Sequence, residues 1–309
     1  MRSLKTKSYI LVTPAKNEED NLPLLAKSVV NQTIRPKLWV IVNDNSTDGT
    51  GEIISYLESK YPWILGVHLQ DSDGKYDPVF RNSVTYRAGL RVALNYMKNN
   101  ALPFGYIGIV DADFILERKF FEKLLNVMGR SPKLGIVSGG VYIKKKGKLV
   151  WERSNPKFPR GSPRLIRFEC FFDIGGYPFE PAPDLISYYL ARIKGWDTLQ
   201  VVDAISVELR ATGSRGNVFK RYKKQGFVNY YIGVPLLSEI LYGIYISVFH
   251  DPKRGIGLLV GYLESFGKKR IKKKYVQEFL RYDFTLSSLI SKGISQETLS
   301  LRNTIVKQN

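Results

Sequence analysis

The sequence predicts an α/β fold, a doubly wound and mainly parallel sheet followed by a helical C-terminal appendage. The first observation is that short aliphatic and β-branched runs recur at residues 9–13, 38–42, 106–110 and 134–137, bounded by turn or charged residues. Runs that are apolar throughout are typical of strands buried on both faces, as in parallel sheets. The second observation is that segments with helical periodicity separate the first strands. Alternation of strand and helix indicates α/β layers.

Two helices predicted from spacing follow the first two strands. Residues 21–32 carry leucine and valine at helical intervals, and residues 47–60 carry Ile53, Ile54 and Leu57 on one face. A later helix is predicted over residues 185–194. Because ligands bind beyond the carboxyl ends of the strands in such sheets, the polar residues that follow each strand are the candidates for a functional site.

The composition limits the chemistry that the chain can perform. Of its 309 residues, 47 are basic and 28 acidic, which gives a net charge of +19 and suggests an anionic partner such as nucleic acid, a lipid surface or a phosphorylated substrate. The single cysteine, Cys170, excludes an intrachain disulfide and a multi-cysteine zinc site, and the two histidines exclude a three-histidine zinc site. Acid–base and metal chemistry is therefore expected to depend on carboxylates.

Three predicted strands end in polar residues. The sequence PAKNEE (14–19) follows the first strand, NDNSTDG (43–49) the second, and Asp111-Ala-Asp113 the third. Each motif alone is explained by helix caps or an acidic first turn, but together they indicate one site at one edge of the sheet. In an extended strand end, Asp111 and Asp113 would direct both carboxylates to the same side and could bind Mg²⁺ or Mn²⁺.

The strings TPAKNEE (13–19), VNDNSTDGT (42–50) and DAD (111–113) resemble the inverting glycosyltransferases of family 2, which have the GT-A fold. The second string is close to the family pattern V-D-D-x-S-x-D-G-T, with Asn43 in place of the first aspartate and Asp44 at the second. The resemblance covers about residues 8–230. It implies a GT-A-type doubly wound, mixed and mainly parallel sheet, a nucleotide-diphosphate sugar donor (a UDP-sugar most often in the family) and a Mg²⁺ or Mn²⁺ cofactor.

The resemblance also implies roles for individual residues at these strand ends. Asp44 would accept a hydrogen bond from the base of the donor, Asp113 would bind the metal directly, and Asp111 would lie beside both the ribose and the metal. The remaining contacts to the base and ribose would come from the loop after the first strand. The loop residues concerned are Pro14, Ala15, Asn17 and Glu18.

A second group of roles concerns the phosphates of the donor. The segment YRAGLRVA (86–93) is similar to the family's L-N-A-G-x-x-x-A helix start, except that Arg87 stands where asparagine is usual. Arg87 either reaches a phosphate or lies exposed on the helix. Family members often close the active site with a loop whose basic residue meets the diphosphate, and Arg210 and Arg215 are the candidates for that residue.

Asp184 is the candidate catalytic base. Family members carry two glycines, then an acidic pair at a helix start, then a glycine about eleven residues later, and this chain has Gly175-Gly176, Pro183-Asp184 and Gly195. Pro183 stands in place of the usual glutamate. By resemblance, Asp184 would take the proton of an acceptor hydroxyl that attacks the anomeric carbon opposite the diphosphate. The alternative is that Asp184 caps the helix over residues 185–194.

The last third of the chain is basic and partly apolar. We expect a nucleotide-sugar-binding catalytic domain over residues 1–228 and a helical region over residues 229–309. Residues 231–249 form a mostly apolar stretch, open to interpretation as a spanning helix, an interfacial or re-entrant helix, or part of a packed hairpin, and Glu239 in its middle disfavours the first. The basic run at residues 268–274 suits anionic lipid head groups or a solvated helix face.

The predicted function is a metal-dependent inverting glycosyltransferase that transfers a sugar to an acceptor hydroxyl, such as that of a lipid-linked or polysaccharide precursor. The N-terminus lacks the pattern of a secretory signal, so a cytoplasmic protein, with or without peripheral attachment to the inner face of the cell membrane, is expected. One alternative is a non-catalytic nucleotide-sugar-binding relative, because half of the acidic pair is missing at Pro183. Another is a basic nucleic-acid-binding protein, although no usual signature of that class is found. A nucleotidyltransferase is disfavoured, because PAKNE (14–18) replaces the usual glycine-rich basic loop.

Overall fold

The fold contains a mixed sheet within the first of two units, Met1–Thr212 and Gly213–Asn309. The computed structural model describes residues 7–70, 80–145, 147–152, 154–210 and 217–268. The strands are β1 (Tyr9–Ala15), β2 (Leu38–Asp44), β3 (Ile64–Leu69), β4 (Tyr106–Ile109), β5 (Phe114–Leu116), β6 (Leu134–Lys145), β7 (Lys148–Trp151), β8 (Arg164–Arg167) and β9 (Asp197–Glu208). The helices of this unit are α1 (Leu22–Val30), α2 (Thr50–Lys60), α3 (Arg81–Asn99), α4 (Phe120–Arg130), α5 (Phe168–Asp173) and α6 (Pro183–Ile193).

The strands lie in the order β3-β2-β1-β4-β8-β6-β9-β5, with β7 paired to β6. The run β3-β2-β1-β4 is parallel throughout, β8 is antiparallel to both β4 and β6, and β6 and β9 are parallel. The four runs predicted to be strands are found as β1, β2, β4 and β6. Because the first of these are parallel, the carboxyl ends of β1, β2 and β4 lie at one edge of the sheet.

Helix α3 packs directly on β1 and β2, and a glycine allows it to do so. A Cβ atom at Gly89 would lie 2.6 Å from Cγ1 of Val12 and 2.7 Å from Cγ2 of Val42. Any larger residue would push the helix away from the sheet, since side chains in a close-packed interior have little room to shift. This glycine of the YRAGLRVA segment therefore sets how closely α3 approaches the carboxyl ends of β1 and β2.

The described part of the second unit consists of helices α7 (Val218–Ile232), α8 (Leu236–Phe249) and α9 (Pro252–Leu263). The boundary expected at residue 228 falls inside α7, whereas the two compact units divide between Thr212 and Gly213. The composition of the chain changes near residue 228, but this position lies within α7, and α7 packs against α9. No helix among the described residues combines the length and apolar character needed to cross a membrane.

Glu239 of α8 points into the second unit. It is 1% exposed, and both of its carboxylate oxygens accept hydrogen bonds from Nδ2 of Asn229 on α7, at 3.1 and 2.9 Å. Burial raises the pKa of Glu239 to about 7, and the hydrogen bond from Asn229 works in the opposite direction. Glu239, the charged residue of this apolar stretch, thus faces the interior of the second unit.

Candidate active site

The loops that follow β1 and β2 are held together by hydrogen bonds. Asn17 adopts a left-handed backbone conformation (φ 54°), and its amide N donates to Oγ of Ser46 at 3.0 Å while its side-chain oxygen accepts from the amide N of Thr47 at 2.8 Å. The amide N of Glu18 donates to Oγ1 of Thr50 at 2.8 Å. These bonds bring the polar strings 14–19 and 43–49 into one surface, as expected for neighbouring parallel strand ends.

Asp44, the last residue of β2, is paired with an arginine that the sequence analysis did not single out. Nε of Arg81 donates to both carboxylate oxygens of Asp44, at 2.7 and 2.9 Å, and Asp44 is 5% exposed. Arg81 is the first residue of α3. A positive charge at a helix N-terminus is unfavourable, because the helix dipole favours anions at that end. This unfavourable position of Arg81 was the feature of the sequence that could have indicated a carboxylate partner.

Arg210 joins two of the predicted site residues. Its Nη2 donates to Oε1 of Glu18, and its Nε donates to Oδ2 of Asp113 at 3.2 Å. Partial burial disfavours the charge, but Glu18 and Asp113 outweigh it and raise the pKa of Arg210. The end of β9 is thereby brought to the strand ends of β1 and β4, and a guanidinium lies between two carboxylates.

Asp111, like Asp113, is partly buried, and the segment between them is a turn rather than the extended strand end expected from the sequence. The carboxylate of Asp111 accepts a hydrogen bond from the hydroxyl of Tyr86, and its amide N donates to Oγ of Ser162 at 2.7 Å. Burial raises the pKa of Asp111 to about 6; the hydrogen bond from Tyr86 opposes this rise, and the negative charges of Asp113 and Asp184 add to it. Carboxylates from two segments, the turn over residues 111–113 and the start of α6, are thus close enough for Asp113 and Asp184 to repel the charge of Asp111.

Asp184 is partly exposed and is the second residue of α6. Its position is not the N-cap, which is Ala182 in a left-handed conformation (φ 52°), so the capping alternative is wrong. No described residue donates a hydrogen bond to its carboxylate. A Cβ atom at position 161 would lie 2.7 Å from Oδ2 of Asp184, so Gly161 leaves room for the carboxylate. Asp184 is therefore free to accept a proton from a ligand.

A buried arginine lies beneath this carboxylate cluster. Arg164 of β8 is 0% exposed, and within the described residues its Nε and Nη2 have no hydrogen-bond partner. Its Nη1 is 3.4 Å from the backbone oxygen of Asp184, and its guanidinium carbon is 5.8 Å from the ring centroid of Tyr177. A buried cation of this kind offsets the charge of nearby carboxylates. Arg164 could not be identified from the sequence, because the short strand Arg164–Arg167 has a charged residue at each end and does not have the pattern of a buried strand.

The other predicted site residues are distributed as follows. Pro14 and Ala15 are the last residues of β1, in register with Val42 and Asn43. Arg87 lies on the exposed side of α3, with its Nη1 3.4 Å from the backbone oxygen of Tyr177. Arg215 and most of the basic run at residues 268–274 lie outside the described residues.

The carboxylates fit a divalent cation that a substrate helps to bind. In the described part of the chain, no three His, Cys, Asp or Glu side chains form a ready-made metal site. Mg²⁺ is usually held by one or two carboxylates together with substrate phosphates and waters rather than by a complete protein cage. Burial is the main cause of the raised pKa of Asp111, and a bound cation would relieve the repulsion by Asp113 and Asp184 that adds to it. Asp113 and Asp111 are therefore suited to hold one once a diphosphate supplies further oxygens.

Comparison with known sequences identifies similar proteins. Residues 10–182 match the family model described as glycosyl transferase family 2. A poly-β-1,6-N-acetyl-D-glucosamine synthase of Staphylococcus aureus is 27% identical over 134 residues, which cover 43% of this chain and 28% of that relative. The chain thus spans less than a third of the length of this curated relative.

Comparison with solved structures shows the same fold in two proteins. The mannosyltransferase PcManGT from Pyrobaculum calidifontis, in complex with GDP-Man and Mn²⁺, has a TM-score of 0.50 at 14% identity, over 93% of this chain and 79% of that one. S. aureus TarS in complex with UDP-GlcNAc has a TM-score of 0.50 at 14% identity, over 90% of this chain and 80% of that one. At this identity the similarity concerns the fold, and the predicted GT-A-type fold class is confirmed.

Proposed function

The chain belongs to glycosyl transferase family 2, whose model matches more than half of its residues, and we propose that this glycosyltransferase moves a sugar from a nucleotide-diphosphate sugar to an acceptor hydroxyl with inversion at the anomeric carbon. The proposal depends on one observation above all. Asp111 and Asp113 lie in one turn after β4 and Asp184 lies on α6, yet the charges of Asp113 and Asp184 both act on the carboxyl of Asp111.

The donor is assigned to the strand ends of β1, β2 and β4. Asp44, fixed by two hydrogen bonds from Arg81, would accept a hydrogen bond from the base. The base and ribose would be lined by Pro14 and Ala15 at the end of β1 and by Asn17 and Glu18 in the loop that follows. This loop is hydrogen-bonded to the segment that leads into α2. TarS has been solved in complex with UDP-GlcNAc and PcManGT in complex with GDP-Man, which supports a nucleotide-sugar donor and leaves uracil and guanine as the bases to test.

Asp184 would act as the general base. Its carboxylate is accessible and receives no hydrogen bond from the described residues, so an acceptor hydroxyl can donate to it. As the hydroxyl oxygen bonds to the anomeric carbon, its proton passes to Asp184, and the bond to the diphosphate oxygen breaks on the opposite face. A divalent cation held by Asp113 and Asp111 would supply positive charge to the departing diphosphate. Arg210, already between Glu18 and Asp113, would supply further positive charge there.

The test is a donor assay on the full chain. UDP- and GDP-linked sugars are incubated with and without Mn²⁺, and release of the nucleoside diphosphate is measured. We expect slow hydrolysis of one donor class that depends on Mn²⁺, with the freed sugar in the inverted configuration by NMR. Binding of a donor without any product would favour the non-catalytic relative, and absence of donor binding would refute the proposal.

Peripheral contact with an anionic membrane is the second part of the proposal, and α8 supports it. Its outward face is apolar at positions 237, 241, 244, 245 and 248, with Leu237 and Val248 67% and 69% exposed, while Glu239 faces inward. This arrangement reverses that of an ordinary surface helix, whose apolar side faces the core. Basic residues of the same unit, Lys220, Arg221, Lys223, Lys224, Lys253 and Arg254, supply the charge that anionic head groups attract.

Vesicle sedimentation tests this contact. We expect the full chain to sediment with vesicles that contain phosphatidylglycerol, and to do so much less after Leu237→Ser and Val248→Ser are combined, because the apolar area that enters the interface is removed. Leu149→Ser, at a residue 54% exposed on β7, is the matched control and should bind like the parent. Unchanged binding of the double variant would exclude α8 as the contact surface.

A further inference from the structure

A large cleft runs along α3, between this helix, the end of β3 and the segment over residues 171–179. Its volume is about 890 Å³, within the range of small-molecule sites. One face of α3 forms one wall, and the segment over residues 171–179 forms the other. Its described lining includes three arginines and three aromatic residues but no aspartate or glutamate; these six are Arg81, Arg87, Arg91, Phe171, Tyr177 and Phe179.

Two of the arginines carry charge that no carboxylate among the described residues compensates. Arg81 is already paired with Asp44. Arg87 and Arg91, one helical turn apart on the exposed side of α3, form no ion pair with any described residue. Like charges at this spacing repel each other, so an anion between them would relieve the repulsion. Guanidinium groups match the oxygens of a phosphate with paired hydrogen bonds, which makes phosphate the group best suited to this position.

Apart from Gln70 and Asn95, the rest of the cleft lining is apolar or glycine. Val84, Ala88 and Leu94 continue the α3 wall, and Phe179 lies opposite, with its ring centroid 5.7 Å from the guanidinium carbon of Arg87. A simple anion would leave these side chains exposed to water, whereas an attached hydrocarbon chain would cover them. The combination of paired cations and apolar walls therefore favours an amphiphile with a phosphate group.

The inner wall of the cleft lies next to the candidate base. Tyr177 lines the cleft, and its ring centroid is 5.1 Å from that of Tyr86, whose hydroxyl binds Asp111. On its other side, Tyr177 lies against the guanidinium of Arg164, which reaches the backbone oxygen of Asp184. A ligand seated in the cleft would thus end close to the carboxylate cluster.

We propose that this cleft binds a phosphate-bearing amphiphile, with the phosphate on Arg87 and Arg91 and the hydrocarbon chain along the apolar walls, and that the acceptor whose hydroxyl receives the sugar belongs to this class of ligand. The acceptor role depends on the proposed function, whereas the binding does not. Arg87 keeps the phosphate-binding role that its position in the sequence suggested, but the phosphate is that of the acceptor rather than of the donor.

The test is calorimetric titration of the full chain with octyl phosphate, inorganic phosphate and octanol, each below its aggregation limit. We expect octyl phosphate to bind at least about tenfold more tightly than either of the others, because only it engages both features of the cleft. The double variant Arg87→Gln with Arg91→Gln should weaken octyl phosphate binding by at least about tenfold, since two charge-assisted contacts are lost. Arg35→Gln, at an exposed arginine outside the cleft lining, is the matched control and should bind like the parent.

Three results would overturn the proposal. Equal affinities for octyl phosphate and inorganic phosphate would show a bare anion site, and equal affinities for octyl phosphate and octanol an apolar one. Undiminished octyl phosphate binding by the double variant would place the ligand elsewhere, for example on α8.

A parallel titration of the parent with UDP and Mn²⁺ separates the cleft proposal from the proposed function. UDP binding without amphiphile binding refutes the cleft alone, and the reverse result refutes the proposed function together with the acceptor role while the cleft remains a binding site.

Discussion

Asp184→Asn is expected to lower the rate of sugar transfer by at least about a hundredfold while the affinity for the donor stays near that of the parent. The amide has nearly the shape of the carboxylate but cannot take a proton from the acceptor hydroxyl. Donor affinity should be retained because Asp184 belongs to α6, whereas the proposed donor contacts come from the ends of β1, β2 and β4. Steady-state rates measured against donor and acceptor separately, with calorimetric donor titration, test both parts.

The matched control for this variant is Asp203→Asn. Asp203 is exposed on β9, and its side chain has no hydrogen-bond partner among the described residues, so loss of its charge should leave the rate unchanged. A rate for Asp184→Asn within a few-fold of the parent would exclude Asp184 as the base. An equal loss in both variants would instead point to the net charge of the chain rather than to proton transfer.

Much of the candidate site could be predicted from the sequence, because its polar residues directly follow apolar strands. Runs that are apolar throughout marked β1, β2 and β4, and parallel pairing places their carboxyl ends at one edge. The neighbouring polar residues Glu18, Asp44 and Asp111 are then brought together by the chain direction alone.

The basic partners of these carboxylates were harder to predict. Arg81 is thirty-seven positions from Asp44, and Arg164 is buried because β8 is inserted between β4 and β6. β8 is antiparallel to both neighbours, and a four-residue strand with a charge at each end gives no sequence pattern that would predict this position. Arg210 could be named in advance only through the family resemblance, and its contacts with Glu18 and Asp113 depend on where β9 ends.

The orientation of α8 shows the same limit in the second unit. The sequence placed Glu239 in an apolar stretch but could not decide between a spanning, an interfacial and a packed helix. The structure adds the hydrogen bonds from Asn229, which lies on a different helix and holds the carboxylate of Glu239 on the inward side of α8. Once Glu239 faces the interior together with Gly243 and Ile246, the helical period places most of the other apolar side chains of α8 on the outward side.

Asp113→Asn is expected to remove the effect of Mn²⁺ on UDP binding and to lower transfer by at least about a hundredfold, because a cation at the diphosphate contributes several kcal/mol of charge stabilisation. The amide oxygen is a weaker ligand for a hard cation than a carboxylate is. Arg210 would keep its hydrogen bond to Glu18, so the loop after β1 should stay in place and the variant should fold. Calorimetric titration with UDP, with and without Mn²⁺, measures the metal effect independently of turnover.

The neighbouring Asp20→Asn variant is the control for this measurement, since Asp20 is exposed and has no side-chain partner among the described residues. It should show the same gain in UDP affinity on addition of Mn²⁺ as the parent. If Asp113→Asn retained that gain, the cation would have to be held by other oxygens, and Asp113 would be left with its pairing to Arg210 alone. If the parent itself showed no gain, Arg210 would be the main positive charge at the diphosphate, and Arg210→Gln would then weaken UDP binding more than Asp113→Asn does.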